Sequence, residues 1–375
     1  MKIPFNKPYL AGREIQHIVS AAYKGHISGN GIFTKKSQIF LEERYGFKHA
    51  LLTTSCTDAL EMTALLMDIK AGDEVIVPSY TFVSSANAYV LRGAKIVFAD
   101  SCSHHPNIDL DAVEQLITEK TKAIVLVHYG GVACDMDKAM ALSKKYGVYI
   151  VEDAAHAVDS YYKGKPLGGI GHFGVFSFHE TKNISSGEGG LLVINDSSFS
   201  KRAEILWEKG TNRSAFFRGE VNKYGWVDIG SSFLPSDIIA AVLYGQLEQL
   251  DEIQHKRRLI HSQYDELLKE LHAKGKIYIP ELPDYATENG NMYYFLVNSN
   301  EERNRLLAFL NANKVHAVFH YLPLHLSSYY TPFHDGRLLP NSKYFSDCII
   351  RLPFFYELPH DWVAKVAETV FRFYK

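Results

Sequence analysis

Between residues 48 and 195 the sequence alternates short apolar runs with segments of helical period, and this alternation restricts the possible folds more than any other feature. The runs that predict strands are Ala50–Thr54, Asp73–Pro78, Lys95–Asp100, Ala123–His128, Val148–Val151 and Leu191–Asn195. Helical periodicity separates several of them, as in residues 111–117 and 137–146. Strands that alternate with helices typically form a mainly parallel sheet covered on both faces. We therefore expect an α/β protein.

Ionisable side chains follow one of these predicted strands. The run Val148–Val151 leads into Glu152, Asp153 and His156. Open α/β sheets bind ligands at the carboxyl ends of their strands, which is where these side chains are expected to lie. Carboxylate and imidazole groups so close together also permit a metal site for hydrolysis, although the sequence offers no further obvious cluster of metal ligands.

A lysine follows a further predicted strand. Phe176 and Phe178 alternate with polar neighbours, which is typical of a strand, and the glycines of Gly187–Gly190 permit a tight turn. Lys182 is thereby placed at the end of a rigid element. Most lysines are solvated surface residues. A lysine that can form an imine, together with Asp153 to pair with a pyridinium nitrogen, nevertheless meets the minimal requirement of pyridoxal phosphate chemistry.

Composition narrows the class of protein. Of the 375 residues 46% are hydrophobic and 22% charged, so the chain can bury a core. The formal charge is −2 and no basic cluster is present, so nucleic-acid binding is not expected. The four cysteines form no CxxC pair, which indicates neither a zinc site nor disulfides. Without a signal-peptide pattern or a membrane-length apolar run, we expect a cytoplasmic protein with no membrane partner.

Several polar segments could contact a ligand. Residues 55–58 carry hydroxyl groups at a strand-to-helix junction, where exposed amides bind phosphate well, although helix capping explains them equally. Residues 79–88 could present an aromatic side chain to a flat ring, although core packing is the commoner role of such a side chain. Residues 25–31 and 210–226 lack any period. The first is equally well a connector, and the arginines of the second could meet a diphosphate or stay solvated.

The last third of the chain predicts a second, smaller domain. Residues 237–258 have the pattern of one long amphipathic helix, which we interpret as a bridge between domains. Beyond it, strands are predicted near 276–279, 292–297 and 317–319, and helices at 302–310 and 361–374. We therefore expect a large domain over residues 1–245, which includes the N-terminal segment and the ligand site, and a small α+β domain over residues 246–375.

Five strings in one order give the chain a resemblance to a known family. They are Pro78–Val83, Val127–Cys134, Phe178–Asn183, Glu208–Ser214 and Phe319–His325. With them the chain resembles, essentially end to end, the sugar-nucleotide aminotransferases of the DegT/DnrJ/EryC1/StrS family, and most closely those that form dTDP-4-amino-4,6-dideoxygalactose. The resemblance implies a fold-type-I pyridoxal-phosphate-dependent transferase, similar to aspartate aminotransferase, with a mainly parallel sheet of the seven-stranded type.

The resemblance also implies roles for individual residues. Lys182 would bond to pyridoxal 5'-phosphate and then carry protons, and Asp153 would pair with the ring nitrogen. The other implied cofactor contacts are the amides of Cys56 and Thr57 with the Ser177 hydroxyl at the phosphate, Phe82 at the ring face, His156 near the ring hydroxyl, and Ser232 reaching the phosphate of a partner subunit. Candidate substrate contacts are Ile27, Ser28, Arg213, His320 and Tyr321. No metal is expected.

Three positions compare informatively with relatives. Many of them carry glutamine where this chain has His156, and asparagine where it has Ser232. Serine is the shorter side chain, so the contact of Ser232 with the partner subunit stays open. A neighbouring subgroup that dehydrates sugars carries histidine at the position of Lys182. The lysine favours transamination.

The resemblance implies that the enzyme moves an amino group from L-glutamate to the C4 ketone of dTDP-4-keto-6-deoxy-D-glucose. The product would be a dTDP-4-amino-4,6-dideoxyhexose for surface polysaccharide synthesis, such as the O-antigen of lipopolysaccharide. A homodimer with its active sites at the interface is expected. The alternatives are amination with the other C4 configuration, amination at C3, and a non-catalytic protein that binds pyridoxal phosphate.

Overall fold

The structure, a computed structural model, describes residues 2–375. Its strands are β1 (Ala50–Thr53), β2 (Glu74–Pro78), β3 (Lys95–Ala99), β4 (Thr121–Val127), β5 (Tyr149–Asp153), β6 (Tyr161–Tyr162), β7 (Lys165–Pro166), β8 (Phe173–Ser177), β9 (Gly190–Ile194), β10 (Tyr294–Leu296) and β11 (Ile349–Arg351). Its helices are α1 (Glu14–Tyr23), α2 (Ile32–Tyr45), α3 (Cys56–Leu66), α4 (Ser84–Val90), α5 (Leu110–Glu114), α6 (Met136–Tyr146), α7 (Ser200–Trp207), α8 (Arg213–Phe217), α9 (Asp237–Leu247), α10 (Leu250–Ala273), α11 (Asn300–Ala312), α12 (Pro340–Cys348) and α13 (His360–Phe373).

A seven-stranded sheet with the order β1-β9-β8-β5-β4-β2-β3 forms the centre of the molecule. Strands β3, β2, β4, β5 and β8 are parallel. Strand β9 runs antiparallel to both of its neighbours, β8 and β1. The predicted α/β fold with a mainly parallel sheet is confirmed.

Both faces of this sheet are buried. Successive side chains of a strand point to opposite faces, so each strand contributes to two cores. Ile124 and Ile150 pack into one hydrophobic core, together with residues of α2, α6 and α9. Val125 and Val151 pack into a second core, together with residues of α3 and α7. Continuous apolar strands of this kind are typical of a parallel sheet that helices cover on both sides.

The C-terminal elements enclose a third core. Residues of α10, α11 and α13 pack there with Phe295 of β10 and Ile350 of β11. Ile3 joins the same core and pairs with Val315 in a parallel bridge. Helix α10 connects the cores, because Ile253 packs with the sheet and Ile260 packs with the C-terminal elements. The predicted domain boundary after residue 245 stays a prediction.

The prediction of one helix over residues 237–258 is wrong. The chain forms α9 and α10, and Gln249 between them has a φ of −112°, outside the helical range. Helix α9 packs on α1 and α2, whereas α10 packs on α13, so the chain changes direction between them. No proline or glycine marks the break, and the helical period continues through it.

Predicted strands in the C-terminal region are shorter than expected. Residues 276–279 and 317–319 contribute one bridge each, Tyr278 to Leu296 and Val318 to Arg351. Strand β11, which pairs with β10, was not predicted. The segment 210–226, predicted to be irregular, contains the short helix α8. None of the helices between residues 2 and 375 combines the length and apolarity needed to cross a bilayer.

Candidate active site

A cavity of about 620 Å³ opens at the carboxyl edge of the sheet. Val127, Asp153 and Ser177, the last residues of β4, β5 and β8, line it. This is the edge at which open α/β sheets bind ligands. The structure brings nine sequence-predicted residues to this cavity: Cys56, Thr57, Phe82, Asp153, His156, Ser177, Lys182, His320 and Tyr321.

The loop between β8 and β9 presents Lys182 to the cavity. Backbone hydrogen bonds close this loop, from Phe178 N to Gly189 O at 2.8 Å and from Glu180 N to Gly187 O at 2.9 Å. Gly187 has a φ of 83°, a left-handed conformation that glycine adopts freely. The tight turn expected from the glycines is therefore present, and it fixes the backbone around the lysine.

Burial changes the basicity of Lys182. It lowers the pKa of the Lys182 amine from 10.5 to about 8. The positive charge of Arg351 lowers this pKa further, whereas Cys56 and Asp153 oppose the shift. A neutral amine is the form that attacks a carbonyl group. Lys182 therefore reaches its nucleophilic form at a much lower pH than an exposed lysine.

Asp153 is a buried carboxylate held by hydrogen bonds. Its Oδ2 accepts a bond from Ser85 Oγ at 2.7 Å, and its Oδ1 accepts one from Ala155 N at 3.2 Å. Thr81 Oγ1 lies 3.0 Å from Ser85 Oγ and extends the chain of hydroxyl groups. Burial raises the pKa of Asp153, while the two hydrogen bonds and the charge of Lys182 oppose the rise. A cationic group beside Asp153 would stabilise its ionised form.

The N-terminus of α3 borders the cavity. Ser55 caps this helix by accepting a hydrogen bond from Asp58 N at 3.1 Å, as expected for a helix start. The amides of Cys56 and Thr57 donate to no acceptor within residues 2–375. Free amides and the helix dipole together favour an anion such as phosphate at this end. Ser177 lines the same cavity.

Buried amide side chains support the loop that carries the lysine. Asn183 Nδ2 donates to Gln254 Oε1 at 2.8 Å and to Asn289 O at 2.9 Å. Asn291 Nδ2 donates in turn to Asn183 Oδ1 at 2.9 Å. Asn289 Nδ2 donates to the His156 carbonyl at 2.8 Å. These bonds join the lysine loop, the end of β5 and the segment before β10 into one buried network.

His156 is a neutral imidazole in this environment. Its Nδ1 accepts a hydrogen bond from Gly130 N at 3.2 Å, so the ring proton lies on Nε2. Burial lowers the pKa of His156, and the cations Lys182 and Arg351 lower it further. His156 can therefore donate a hydrogen bond from Nε2 to an oxygen in the cavity.

Glu152 points away from the cavity. Its carboxylate accepts hydrogen bonds from three amides, those of Gly168, Ile170 and Gly171, at 2.6 to 2.8 Å. It also accepts one from His128 Nε2 at 3.1 Å. Within residues 2–375 no group of three His, Cys, Asp or Glu side chains is arranged to hold a metal ion. The alternative of a hydrolytic metal site built from Glu152, Asp153 and His156 is therefore wrong.

Aromatic side chains also line the cavity. The rings of Phe82 and Tyr321 lie 6.1 Å apart, and those of His320 and Tyr321 stack at 3.5 Å. His320 Nδ1 lies 3.0 Å from the hydroxyl of Tyr129. Phe82 is 54% exposed, so its ring is free to contact a ligand. Flat apolar faces and a few polar atoms suit a planar heteroaromatic ligand.

Four predicted site residues lie outside the cavity. Ile27, Ser28, Arg213 and Ser232 are exposed on the surface. Arg213 begins α8, and Ser232 pairs with Glu208 in an isolated bridge. Their expected contacts with substrate or with a partner subunit stay predictions.

Sequence reasoning missed several residues that line the cavity. Ser85 lies within residues 79–88, a segment considered only for its aromatic side chain. Phe5, Asn291 and Arg351 come from distant parts of the chain. A charged residue that ends a short apolar run is the one signal that could have pointed to Arg351.

The residues present fit pyridoxal 5'-phosphate. The cavity contains an amine, a buried carboxylate and a helix N-terminus with free amides, which match the aldehyde, the ring nitrogen and the phosphate of that cofactor. Gly190 permits the close approach of β9 to the α3 N-terminus, because a Cβ atom there would lie 2.4 Å from the backbone carbon of Ser55. The shape of the proposed phosphate site at the α3 N-terminus depends on that close approach.

Known proteins resemble this chain over its whole length. Residues 9–371 match the DegT/DnrJ/EryC1/StrS aminotransferase family. The uncharacterized protein MJ1066 of Methanocaldococcus jannaschii is 30% identical, covering 98% of this chain and 96% of that protein. The putative sugar aminotransferase Spr1654 of Streptococcus pneumoniae, solved in its PMP form, has a TM-score of 0.91 at 29% identity and 98% coverage of both chains. PseC of Helicobacter pylori, an aminotransferase of pseudoaminic acid biosynthesis, has a TM-score of 0.89 at 26% identity and 99% coverage of both chains.

The fold and the site together define a pyridoxal-phosphate-dependent aminotransferase of fold type I. The chain belongs to the DegT/DnrJ/EryC1/StrS aminotransferase family and is a sugar aminotransferase. The predicted family, fold, enzyme class and cofactor are confirmed.

Proposed function

We propose that this enzyme moves the amino group of L-glutamate to the C4 ketone of dTDP-4-keto-6-deoxy-D-glucose. The product, a dTDP-4-amino-4,6-dideoxyhexose, would serve surface polysaccharide synthesis. The observation that carries the transamination is the placement of Lys182 and the buried Asp153 in one cavity. The choice of sugar rests on the end-to-end resemblance in the five strings of sequence.

We assign the cofactor contacts by chemical match. Asp153 would hold the ring nitrogen in its protonated form, and the amides of Cys56 and Thr57 would bind the phosphate together with the Ser177 hydroxyl. The remaining contacts are Phe82 against the ring face and His156 Nε2 at the ring hydroxyl. When bound, pyridoxal phosphate would supply a carbonyl group to hold the amino group between the two substrates and an electron-accepting ring.

Lys182 is the residue that moves protons in this proposal. Its Nζ takes a proton from the carbon that bears the donor amine and returns one to the carbon that becomes aminated. A base works best when its pKa lies near the working pH, and burial brings the pKa of Lys182 to about 8. The amide network around Asn183 keeps the lysine loop in place while Nζ moves.

His320 and Tyr321 are the proposed substrate contacts on the same chain. Both line the cavity, and the ring of Tyr321 lies 6.1 Å from that of Phe82. Burial lowers the pKa of His320, so its ring is neutral near pH 7 and binds through hydrogen bonds rather than charge. A neutral polar ring and a tyrosine suit the hydroxyl groups of a sugar.

We further propose a homodimer that shares its active sites. Arg213 and Ser232 lie in the same segment as Phe217, Tyr224 and Trp226, whose side chains are 72%, 55% and 83% exposed. Exposed aromatic clusters of this kind mark interaction surfaces. A second copy on this surface would bring Arg213, Ser232, Ile27 and Ser28 to the site of its partner.

The free cysteines among residues 2–375 support a reducing, cytoplasmic location.

The test is incubation of the holoenzyme with dTDP-4-keto-6-deoxy-D-glucose and L-glutamate, followed by NMR of the product. We expect the ring couplings of an axial amine at C4. An equatorial amine at C4, or an amine at C3, would reassign the sugar chemistry. If glutamate leaves the absorption of the bound cofactor unchanged, the proposed donor reaction is contradicted and the non-catalytic alternative is favoured.

A further inference from the structure

Tyr129 is a buried tyrosine to which the proposed chemistry gives no role. It lies two residues beyond the end of β4, at the carboxyl edge of the sheet, and it is 1% exposed. Tyr129 does not itself line the cavity formed within residues 2–375, but its hydroxyl lies 3.0 Å from Nδ1 of His320, which does. Any effect of this hydroxyl on a ligand must therefore pass through the imidazole of His320.

Hydrogen bonds fix the turn that carries Tyr129. Its N–H donates to Asn107 Oδ1 at 3.0 Å, and Asn107 Nδ2 donates to Val132 O at 3.0 Å, so one buried amide side chain clamps both ends of the turn. Val132 N also donates to Tyr129 O at 3.1 Å. The hydroxyl of Tyr129 is therefore delivered by a segment that has little freedom to move.

His320 is held through its backbone and through one of its two ring nitrogens. The hydroxyl of Tyr80 donates to the His320 carbonyl, and the His320 ring stacks on that of Tyr321 at 3.5 Å. Nδ1 of His320 faces Tyr129, whereas Nε2 makes no hydrogen bond within residues 2–375. Because His320 lines the cavity, Nε2 is the nitrogen left for a ligand.

The protonation of the two groups indicates which one donates. A neutral imidazole carries one proton, so one ring nitrogen donates and the other accepts. Burial lowers the pKa of His320, as do the charges of Arg351 and Lys182, so the ring is neutral near pH 7. Burial raises the pKa of Tyr129 to about 12, so its hydroxyl keeps a proton to donate. The acceptor that this hydroxyl meets is Nδ1, an arrangement that leaves the ring proton on Nε2.

We propose that Tyr129 is a positioning residue that holds His320 as the Nε2–H tautomer, so that the ring presents a hydrogen-bond donor to an oxygen of the sugar substrate. A second imidazole of the cavity is held in the same way, because Gly130 N donates to His156 Nδ1 at 3.2 Å. One turn after β4 thus sets the proton position in two imidazoles. This inference rests on the proposed function, in which His320 contacts the sugar.

The experiment compares Tyr129→Phe and Tyr80→Phe with the wild-type holoenzyme. Tyr80→Phe is the matched control, because it also removes one hydroxyl from a residue that is 1% exposed, but that hydroxyl bonds to the carbonyl of His320 and not to its ring. NMR of protein labelled with ¹⁵N in the histidine rings shows which nitrogen carries the proton. The His320→Gln protein identifies the His320 signals by their loss.

We expect the ring proton of His320 on Nε2 in the wild type and in Tyr80→Phe, and a mixture of the two tautomers in Tyr129→Phe. In Tyr129→Phe, kcat/KM for dTDP-4-keto-6-deoxy-D-glucose should fall roughly tenfold, mainly through KM, as expected for loss of one neutral hydrogen bond. The half-reaction with L-glutamate, followed by the absorption of the bound cofactor, should match that of the wild type.

A double variant separates action through His320 from a general disturbance of the fold. Because Tyr129 acts through the imidazole, adding Tyr129→Phe to His320→Gln should cause no further fall in kcat/KM for the sugar. A further fall as large as in the wild-type background would show that Tyr129 supports the fold instead, and it would overturn the inference.

The NMR spectra give two more results that would overturn it. One is a wild-type His320 with its proton on Nδ1, which would make Tyr129 the acceptor. The other is an unchanged tautomer in Tyr129→Phe, or a change of equal size in Tyr80→Phe. The wild-type spectrum alone tests the tautomer if Tyr129→Phe does not fold. Failure of the proposed function is visible separately, because a wild-type enzyme that does not aminate the sugar contradicts that substrate while the spectra still decide the tautomer.

Discussion

At the residue scale, burial acts on Lys182 and Asp153 in opposite directions. It lowers the pKa of the amine and raises that of the carboxyl, since low polarity disfavours the charged form of each. Burial therefore makes the charged form of each group less favourable. A cofactor with a cationic ring nitrogen and a reactive carbonyl would stabilise the ionised carboxylate of Asp153 and react with the neutral amine of Lys182.

The first prediction concerns the pH dependence of cofactor uptake. Because the pKa of Lys182 is lowered to about 8, the fraction of neutral amine rises with pH up to that value and is nearly complete above it. We expect the rate at which apoenzyme captures pyridoxal phosphate to increase through pH 8 and then to level off. Stopped-flow absorbance measures this rate. An increase that continues toward pH 10.5 would indicate an ordinary exposed lysine.

The second prediction concerns Asp153. Replacing it with Ala or Asn removes the carboxylate that stabilises the protonated ring nitrogen. We expect kcat to fall on the order of 10²- to 10³-fold, while the cofactor remains bound through its other contacts. Steady-state kinetics and the absorption of dialysed protein measure the two effects. Cofactor loss without a fall in the turnover of the loaded enzyme would contradict this role.

Ser85→Ala is a milder companion variant that leaves Asp153 in place. It removes one hydrogen bond to the carboxylate, and we expect a fall of about tenfold in kcat. The bond from Ser85 lowers the pKa of Asp153, so its loss raises that pKa and moves the acid limb of the pH profile upward. An unshifted acid limb would show that Ser85 does not act through Asp153.

Sequence reasoning located Lys182 and Asp153 because each lies next to an apolar strand, and parallel strands end at one edge of a sheet. Arg351 could not be located in this way. Its strand β11 has three residues, too short for any period. Its position in the cavity depends on the pairing of β11 with β10, in which Arg351 lies opposite Tyr294, 57 residues earlier in the chain.

At the element scale, the contact between β9 and the N-terminus of α3 shapes the proposed phosphate site. Gly190 makes that contact possible, because a Cβ atom would overlap the backbone of Ser55 and Cys56. Backbone atoms cannot move aside as a flexible side chain does. A side chain at position 190 must therefore displace either the strand or the free amides of the helix.

The third prediction tests this contact with Gly190→Ala. We expect at least tenfold weaker binding of pyridoxal phosphate and a loss of about 1 to 3 kcal/mol in the free energy of unfolding. Cofactor titration of the apoenzyme and urea denaturation measure the two quantities. Leu338→Ala is the control, since Leu338 is 89% exposed and lies outside the cavity. Equal cofactor affinity and equal unfolding free energy in the two variants would contradict the proposed phosphate site.

The elements of the large sheet were predictable because their apolar runs are continuous and separated by clear helical periods. The break between α9 and α10 was not, because the apolar period of the sequence runs through it. What divides the two helices is tertiary packing on different partners, and local sequence does not encode that choice. The short pair β10 and β11 depends on long-range pairing in the same way.

At the scale of the whole molecule, the N-terminal residues pack against the C-terminal elements. Ile3 donates a backbone bond to Lys314 O at 2.8 Å and accepts one from His316 N at 3.0 Å. Phe5 follows and lines the cavity. The N-terminal residues therefore belong to the C-terminal core and to the site at once, which no local pattern in the sequence indicates.

The fourth prediction concerns the proposed homodimer. Trp226 is 83% exposed within the aromatic cluster near Arg213 and Ser232. Buried aromatic anchors often contribute about 2 kcal/mol or more to an interface, so Trp226→Ala should weaken self-association roughly 30-fold and lower activity at low enzyme concentration. Sedimentation equilibrium and activity against concentration measure both.

Leu338→Ala is the control for Trp226, because Leu338 is 89% exposed in the segment before α12, far along the chain from the aromatic cluster. We expect it to associate as the wild type does. A wild type that stays monomeric, or a Trp226→Ala protein that dimerises with unchanged affinity, would contradict the proposed interface.

The fifth prediction tests the covalent role of Lys182, on which the proposed chemistry depends. Holoenzyme is reduced with borohydride, digested, and mapped by mass spectrometry. We expect a pyridoxyl phosphate group on the peptide that contains Lys182, and none when the same treatment is applied to Lys182→Ala. An unmodified Lys182 in reduced holoenzyme, or the group on another lysine, would contradict the assignment.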